Sequence, residues 1–219
     1  MAQEKNEISW FENFNNCMNV VFSEQDFKNY AEMIKHDLPI YKKHLKPGAK
    51  LLDIGCGLGC TAVPLSALGH DVTGIDNDKK VVEAAKKNAK SFGKKIKIVY
   101  GDIFEIDKKF GKNSFDACIS GGVLEHFPEE QIMKIVEKQL CVAPLMIASM
   151  PVALKKDVRS EYKDYEKRIC NDGIYRNKWT ADYWVKHVFN GYNIVEYTVR
   201  KAAEAIGGFD EIFVVIKRK

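Results

Sequence analysis

Three carboxylates and three glycines fall where a chain would place them to hold a ligand. The stretch Asp53-Ile54-Gly55-Cys56-Gly57-Leu58-Gly59 closes a short apolar run, residues 50–55, and leads into an apolar helical stretch, residues 60–68. Glycines at such a turn let the backbone take positive φ and let a ligand approach closely. Asp76 ends the next β-like run, residues 71–76, and Asp102 ends a third, residues 96–102. In doubly wound sheets, ligands bind outside the carboxyl ends of the strands, where the strand order switches. Acids at that edge can accept from two ribose hydroxyls and from an adenine amino group. Three together favour an adenosine-type ligand that carries positive charge. Nearby, in Val123-Leu124-Glu125-His126-Phe127, His126 offers an imidazole that can accept a proton at neutral pH. The other histidines, His36, His44, His70 and His187, lie on expected helices or a turn away from these motifs.

The elements that must position these groups alternate. The first fifty residues read as helical: Trp10, Phe11, Phe14, Met18, Val21 and Phe22 recur at helical spacing, and Ser23 can cap a second helix carrying Phe27, Tyr30, Ile34 and Leu38. Strands over 50–55, 71–76, 96–102, 115–121 and 145–150 then alternate with helices over 60–68, 78–92 and 129–140. Such alternation means a parallel sheet with helices on both faces, an α/β doubly wound fold. A helix from Thr180 to Phe189 follows. Two closing β runs, 193–199 and 209–217, joined by AAEAIGG, suggest an antiparallel pair at one sheet edge. Residues 155–178 are polar and charged, with Tyr162, Tyr165 and Tyr175 interspersed. Their charge spacing fits a solvated surface helix, and their place in the chain fits a lid over a substrate.

Composition narrows the class. A chain of 219 residues, 46% hydrophobic and 29% charged, is globular and long enough for one full domain. The net charge of +4 is spread along the chain and argues neither for nor against nucleic acid. No apolar run reaches the roughly 20 residues a spanning helix needs, and no signal peptide is visible, so a cytoplasmic protein is expected. The six cysteines form no C-x-x-C pair and no zinc pattern, so reduced thiols and no metal site are expected.

The ordered set DIGCGLG at 53–59, GIDND at 74–78, GDIFEI at 101–106 and SGGVLEHF at 120–127 resembles the class I S-adenosylmethionine-dependent methyltransferases, over residues 50–151. The resemblance implies a seven-stranded, mostly parallel sheet with one antiparallel strand near its C-terminal edge. It implies S-adenosylmethionine as cofactor, with Asp53, Gly55, Cys56, Gly57 and Gly59 around the methionine part. Asp76 would hold the ribose with Asn77 beside the adenine, Asp102 and Ile103 would frame the adenine, and Ser120 and Gly121 would face the methionine group. The LEH triplet is similar to that of the small-molecule branch, which makes His126 the catalytic candidate and Glu125 a helix-entry charge. No Asn/Asp-Pro-Pro-aromatic box follows the fourth strand, which disfavours nucleic-acid amino groups. The Pro-Gly-Gly turn of many small-molecule relatives is replaced by Cys141-Val-Ala-Pro-Leu145. The implied layout is a helical cap (1–49), a cofactor-binding core (50–151), a candidate substrate lid (152–184) and a C-terminal sheet edge (185–219), acting on a small-molecule acceptor and away from membranes.

Rival readings remain at this level. Gly57-Leu-Gly59-Cys-Thr-Ala62 also satisfies the dinucleotide pattern G-x-G-x-x-A, with Asp76 about 20 residues on, which would make the protein an NAD(P)-dependent oxidoreductase. Asp53 just before the loop suits a cationic sulfonium and ammonium better than a pyrophosphate. A non-catalytic binding or scaffold protein on the same fold is the third reading. Asp76 and Asp78 could also simply cap the following helix, and His126 could bond a carbonyl and fix its loop.

Overall fold

Two serines start the first helices. Ser9 and Glu12 form a reciprocal capping box at α1 (Trp10–Cys17), and Ser23 and Asp26 form another at α2 (Glu24–His44). The helical spacing of residues 10–22 carries only to Cys17. Beyond it the chain bends through residues 18–21, and the buried Phe22 N–H donates to Asn88 Oδ1 at 3.0 Å. The computed structural model describes residues 8–92, 96–153, 162–164, 166–201 and 210–219.

The core follows as β1 (Lys50–Ile54), α3 (Ala62–Ala67), β2 (Asp71–Asp76), α4 (Lys79–Ser91), β3 (Lys97–Tyr100), α5 (Ile106–Phe110), β4 (Ala117–Gly121), α6 (Glu129–Val142) and β5 (Leu145–Pro151). Two 3-10 turns, Ile103–Glu105 and Leu124–His126, sit after β3 and β4. Then come β6 (Tyr162–Asp164) and β7 (Ile169–Cys170), a short helix α7 (Ala181–Tyr183) that widens into a π-type turn over Trp184–Val188, β8 (Asn193–Arg200) and β9 (Glu211–Lys217).

The main sheet has seven strands in the order β3-β2-β1-β4-β5-β9-β8. β1 to β5 pair in parallel, while β9 runs antiparallel between β5 and β8. The expected sheet and its antiparallel C-terminal pair are therefore present. The order reverses between β1 and β4, so the crevice at their carboxyl ends is the natural ligand site. The central strands β1, β4, β5 and β9 are buried on both faces, which is why they read as nearly unbroken apolar runs, while the edge strands β3 and β8 are partly exposed. On one face α6 and the turn carrying Trp184 and Phe189 cover Leu52, Cys118, Met146 and Val214. On the other, Ile34 and Tyr41 of α2 and Leu65 of α3 cover Leu51, Ile119 and Ile147. Among the described residues no helix is long and apolar enough to cross a membrane, and no group of three or more His, Cys, Asp or Glu could hold a metal ion.

The charged segment departs from expectation. Its described residues form the β6–β7 hairpin and a turn, and Ile169 bridges Tyr175. Gly173 takes φ +78°, which ends any helix there, although Arg176 and Asp172 keep their i,i+4 ion pair at 2.6 Å. Tyr165 and the AAEAIGG connection with Phe209 lie outside the described residues.

Candidate active site

The glycine loop leaves β1 in a left-handed sequence: Gly55, Gly57 and Gly59 take φ of +58°, +51° and +91°. At Gly57 two constraints coincide. A side chain there would be strained, and its Cβ would come within 3.2 Å of the Phe14 ring of α1. Gly57 N–H donates to Asp76 Oδ2 at 3.1 Å, and Asp78 N–H donates to Asp76 Oδ1 at 3.0 Å. Asp76 thus ties the glycine loop to the start of α4. Burial raises its pKa, opposed by these backbone donors. Asp78 caps α4 through Lys80 and Val81 N–H, and its other oxygen accepts from Phe11 N–H at 3.2 Å, which seats α1 over the sheet edge.

Two connected cavities lie under α1. The first, about 580 Å³, is lined by Asp76, Asn77, Ile103, Gly101, Ile75 and Phe127 among others. The second, about 710 Å³, is lined by Asp53, Cys56, Gly57, Gly121, Glu125 and Asn177 among others. Trp10, Phe14, Gly55, Gly122 and His126 line both and mark where they meet.

The structure brings most of the sequence-identified residues to these cavities. Asp102 is an exception: it is exposed, and its Oδ1 accepts from Phe104 N–H at 2.9 Å to cap the 3-10 turn. Gly59 supports the loop from behind, its N–H donating to the Cys56 carbonyl at 2.9 Å. Ser120 is fully buried and lines a smaller third cavity behind Gly121.

The floor of the larger cavity carries two buried carboxyls. Asp53 is 2% exposed, and its Oδ2 has no hydrogen-bond partner. Burial, aided by the charge of Asp76, pushes its pKa up to about 8. Glu125, expected as a helix-entry charge, is instead buried with Oε2 unpaired, and burial pushes it up to about 8. Beside it, His126 Nδ1 lies 2.8 Å from the Tyr175 carbonyl oxygen. A carbonyl only accepts, so Nδ1 carries the proton and Nε2 keeps a lone pair. Burial pushes the imidazole down to about 4, against the Tyr175 carbonyl that favours the charged form. The Trp10 ring meets His126 edge-on, centroids 4.7 Å apart.

The segment after β7 completes this wall. Asn177 Nδ2 donates to the Phe127 carbonyl at 2.6 Å, and Asn177 N–H donates to the Glu125 carbonyl at 2.7 Å. Sequence reasoning missed Asn177, since nothing local marks it. Gly74 was also missed, although it sits within the GIDND motif: a Cβ there would lie 2.8 Å from Cys56 Sγ.

Residues 51–142, from β1 through α6, match the family model described as a methyltransferase domain. These residues are a methyltransferase domain. Among curated relatives, the domain is 42% identical over 71 residues to a ribosomal protein L11 methyltransferase of Thermosipho africanus, covering 32% of this chain and 27% of that one. It is 42% identical over 77 residues to a ubiquinone biosynthesis O-methyltransferase of Pelagibacter ubique, covering 35% of this chain and 31% of that one. The matches thus span under a third of these relatives' own length. Among solved structures, the PH0226 protein of Pyrococcus horikoshii superposes with a TM-score of 0.72 at 19% identity, covering 96% of this chain and 98% of that one. Magnesium protoporphyrin IX methyltransferase of Synechocystis, solved with bound S-adenosylmethionine, superposes at 0.64 and 19% identity, covering 97% and 93%. The fold is that of the class I S-adenosylmethionine-dependent methyltransferases.

Proposed function

We propose that this protein transfers a methyl group from S-adenosylmethionine to a small-molecule acceptor. The observation that carries this reading is the pair of cavities meeting at Gly55, Gly122 and His126 under Trp10. One presents Asp76 and Asn77 beside apolar walls, and the other holds two buried acids, with His126 lining both. The residues present fit the cofactor. Asp76 and Asn77 sit where a ribose and adenine would be held, with Ile103 and Phe127 as apolar walls. Asp53 Oδ2, buried and unpaired, suits a cationic group and would be drawn back to its ionised form beside one.

When bound, S-adenosylmethionine supplies a methyl group on a sulfonium, an activated electrophile with a neutral leaving group. The chain's own residues do the rest. Gly57 and Gly55 allow close backbone approach. Trp10 and Phe14 roof the meeting point and exclude water, and holding the acceptor in line there can account for about 7–11 kcal/mol of the barrier. His126 Nε2, 3.6 Å from Glu125 Oε1, would accept a proton from an O–H or N–H nucleophile, while Tyr175 fixes the ring's tautomer. The start of the 152–184 segment, through Val152, and its later part, through Arg176, Asn177 and Lys178, line the acceptor cavity, which supports a lid role.

The dinucleotide reading is weaker, because a pyrophosphate offers the buried, unpaired Asp53 carboxyl no counter-charge, whereas a sulfonium or ammonium does. The named activities of the ubiquinone-biosynthesis and protoporphyrin relatives support a small-molecule acceptor here. Six free thiols support a cytoplasmic site of action. Calorimetric titration with S-adenosylhomocysteine and with NAD tests the cofactor: binding of NAD alone would refute the reading. Turnover of labelled S-adenosylmethionine against a metabolite panel then separates an enzyme from a binding protein.

A further inference from the structure

Behind Gly121 the acceptor cavity continues into a third chamber of about 220 Å³, sharing Cys60, Thr61, Gly121 and Gly122 with it. Its walls come from distant parts of the chain: Asp37 and Tyr41 of α2, Ser120 of β4, Ser149 of β5, Arg200 of β8 and Glu211 of β9. Arg200 Nη1 bonds Asp37 Oδ1 at 2.7 Å, and Arg200 Nη2 bonds Glu211 Oε2. All three side chains are nearly out of solvent, at 10%, 7% and 13% exposure for Arg200, Asp37 and Glu211. Two carboxylates thus share a single guanidinium. The adjacent Lys201 is engaged by Asp210 at 3.0 Å, so among the described residues the cluster has one carboxyl more than it has cations to pair. Burying an uncompensated charge is costly, and burial with the nearby Glu211 pushes Asp37 up to about 7 despite Arg200. Ser120 Oγ, fully buried, and Arg200 Nε have no hydrogen-bond partner.

Such a chamber discriminates by charge. An anionic group would meet two carboxylates that already share the one guanidinium, and a neutral group would leave the surplus carboxyl without a counter-charge. An alkylammonium neutralises it, and its three N–H donors match carboxylate oxygens and the Ser120 hydroxyl. We propose that this chamber is the recognition site for an ammonium group on the methyl acceptor, so that the acceptor is an amine-bearing small molecule whose nucleophilic end reaches past Gly121 towards His126. The assignment rests on the methyl-transfer reading above.

The test uses the full chain saturated with S-adenosylhomocysteine and three shape-matched probes: tyramine, 4-(2-hydroxyethyl)phenol and 3-(4-hydroxyphenyl)propanoate. Calorimetry is expected to show tyramine binding about tenfold or more tighter than the alcohol and the acid. In Asp37→Asn that preference should fall to about twofold with S-adenosylhomocysteine affinity unchanged. Glu211→Gln, which spares the Asp37–Arg200 pair, serves as the second variant should Asp37→Asn fail to fold. Equal binding of the three probes to wild type overturns the proposal. So does a loss of S-adenosylhomocysteine affinity in Asp37→Asn with probe selectivity intact, which would place the cofactor's own ammonium in the chamber. A wild-type protein that does not bind S-adenosylhomocysteine refutes the methyl-transfer reading instead, and the probe preference, measured on the protein alone, still decides the chamber.

Discussion

His126 should behave as a neutral imidazole throughout the working pH range. The ring is largely out of solvent, its Nδ1 is 2.8 Å from the Tyr175 carbonyl, and burial pushes its pKa down to about 4. An ordinary imidazole, with a pKa of about 6.5, would be roughly three-quarters protonated at pH 6, whereas this one is protonated to about 1%. A rate that depends on the neutral ring would fall about tenfold between pH 8 and pH 5.5 for an ordinary histidine. Here it should change by less than about 5%. The sign for stability is set by the same shift. The folded pKa is depressed, so the unfolded chain binds more protons between pH 6.5 and 4, and about 3 kcal/mol is lost progressively as pH falls through that window. Long-range proton–nitrogen NMR on imidazole-labelled protein reads both the tautomer and the titration without any acceptor. A midpoint near 6.5, or a proton on Nε2, would refute the argument that Tyr175 and burial prepare Nε2 as a lone pair. Once an acceptor is known, His126→Asn should leave S-adenosylhomocysteine affinity nearly intact and cut methyl transfer by about 10²-fold.

Three further outcomes are expected. Gly57→Val should fold, as judged by circular dichroism, yet lose S-adenosylhomocysteine binding, because the position combines φ +51° with the Phe14 ring 3.2 Å from any Cβ; retained binding would remove the loop from the site. Asp76→Ala should weaken S-adenosylhomocysteine by about 1.5–3 kcal/mol, through loss of charged hydrogen bonds and of the anchor for Gly57 N–H, and unchanged affinity in calorimetry would reduce Asp76 to a structural tie. Glu125 has a folded pKa raised to about 8, so its contribution is complete below about pH 4.5 and fades as pH rises towards 8. Glu125→Gln cannot ionise, so in urea titrations its stability relative to wild type should grow by up to about 4 kcal/mol between pH 5 and pH 8, and parallel pH curves would show that Glu125 is not held neutral.

Local chemistry made part of this legible from sequence. The glycine loop, the cap at Asp78 and the strand-ending Asp53 and Asp76 each depend on a few neighbouring residues, so motif and spacing placed them. Where a side chain had both a local and a distant use, sequence could not choose. Asp102 takes the Phe104 N–H two residues on, an Asx-type cap whose geometry competes with any reach towards a ligand. The i,i+4 charges of Asp172 and Arg176 pair as they would on a helix, yet they pair across a turn because Gly173 adopts a left-handed conformation. Burial was the least visible quantity. Glu125 reads as a surface acid until Asn177, from beyond β7, closes over its backbone.

The charged chamber marks the limit of local inference and also shows what the fold adds. Asp37 and Arg200 stand far apart in the chain, on a cap helix and an edge strand that each read as ordinary. Only the insertion of β9 between β5 and β8 carries Glu211 alongside Arg200 and brings both to the carboxyl ends of β4 and β5. The shared methyltransferase core therefore fixes where a cofactor can lie, while the elements outside it, α1, α2 and the β8–β9 pair, decide what lies opposite. Selectivity for the acceptor should then follow substitutions in those flanking elements, and cofactor affinity should follow substitutions in residues 51–142, with Gly55, Gly122 and His126, which line both cavities, coupling the two.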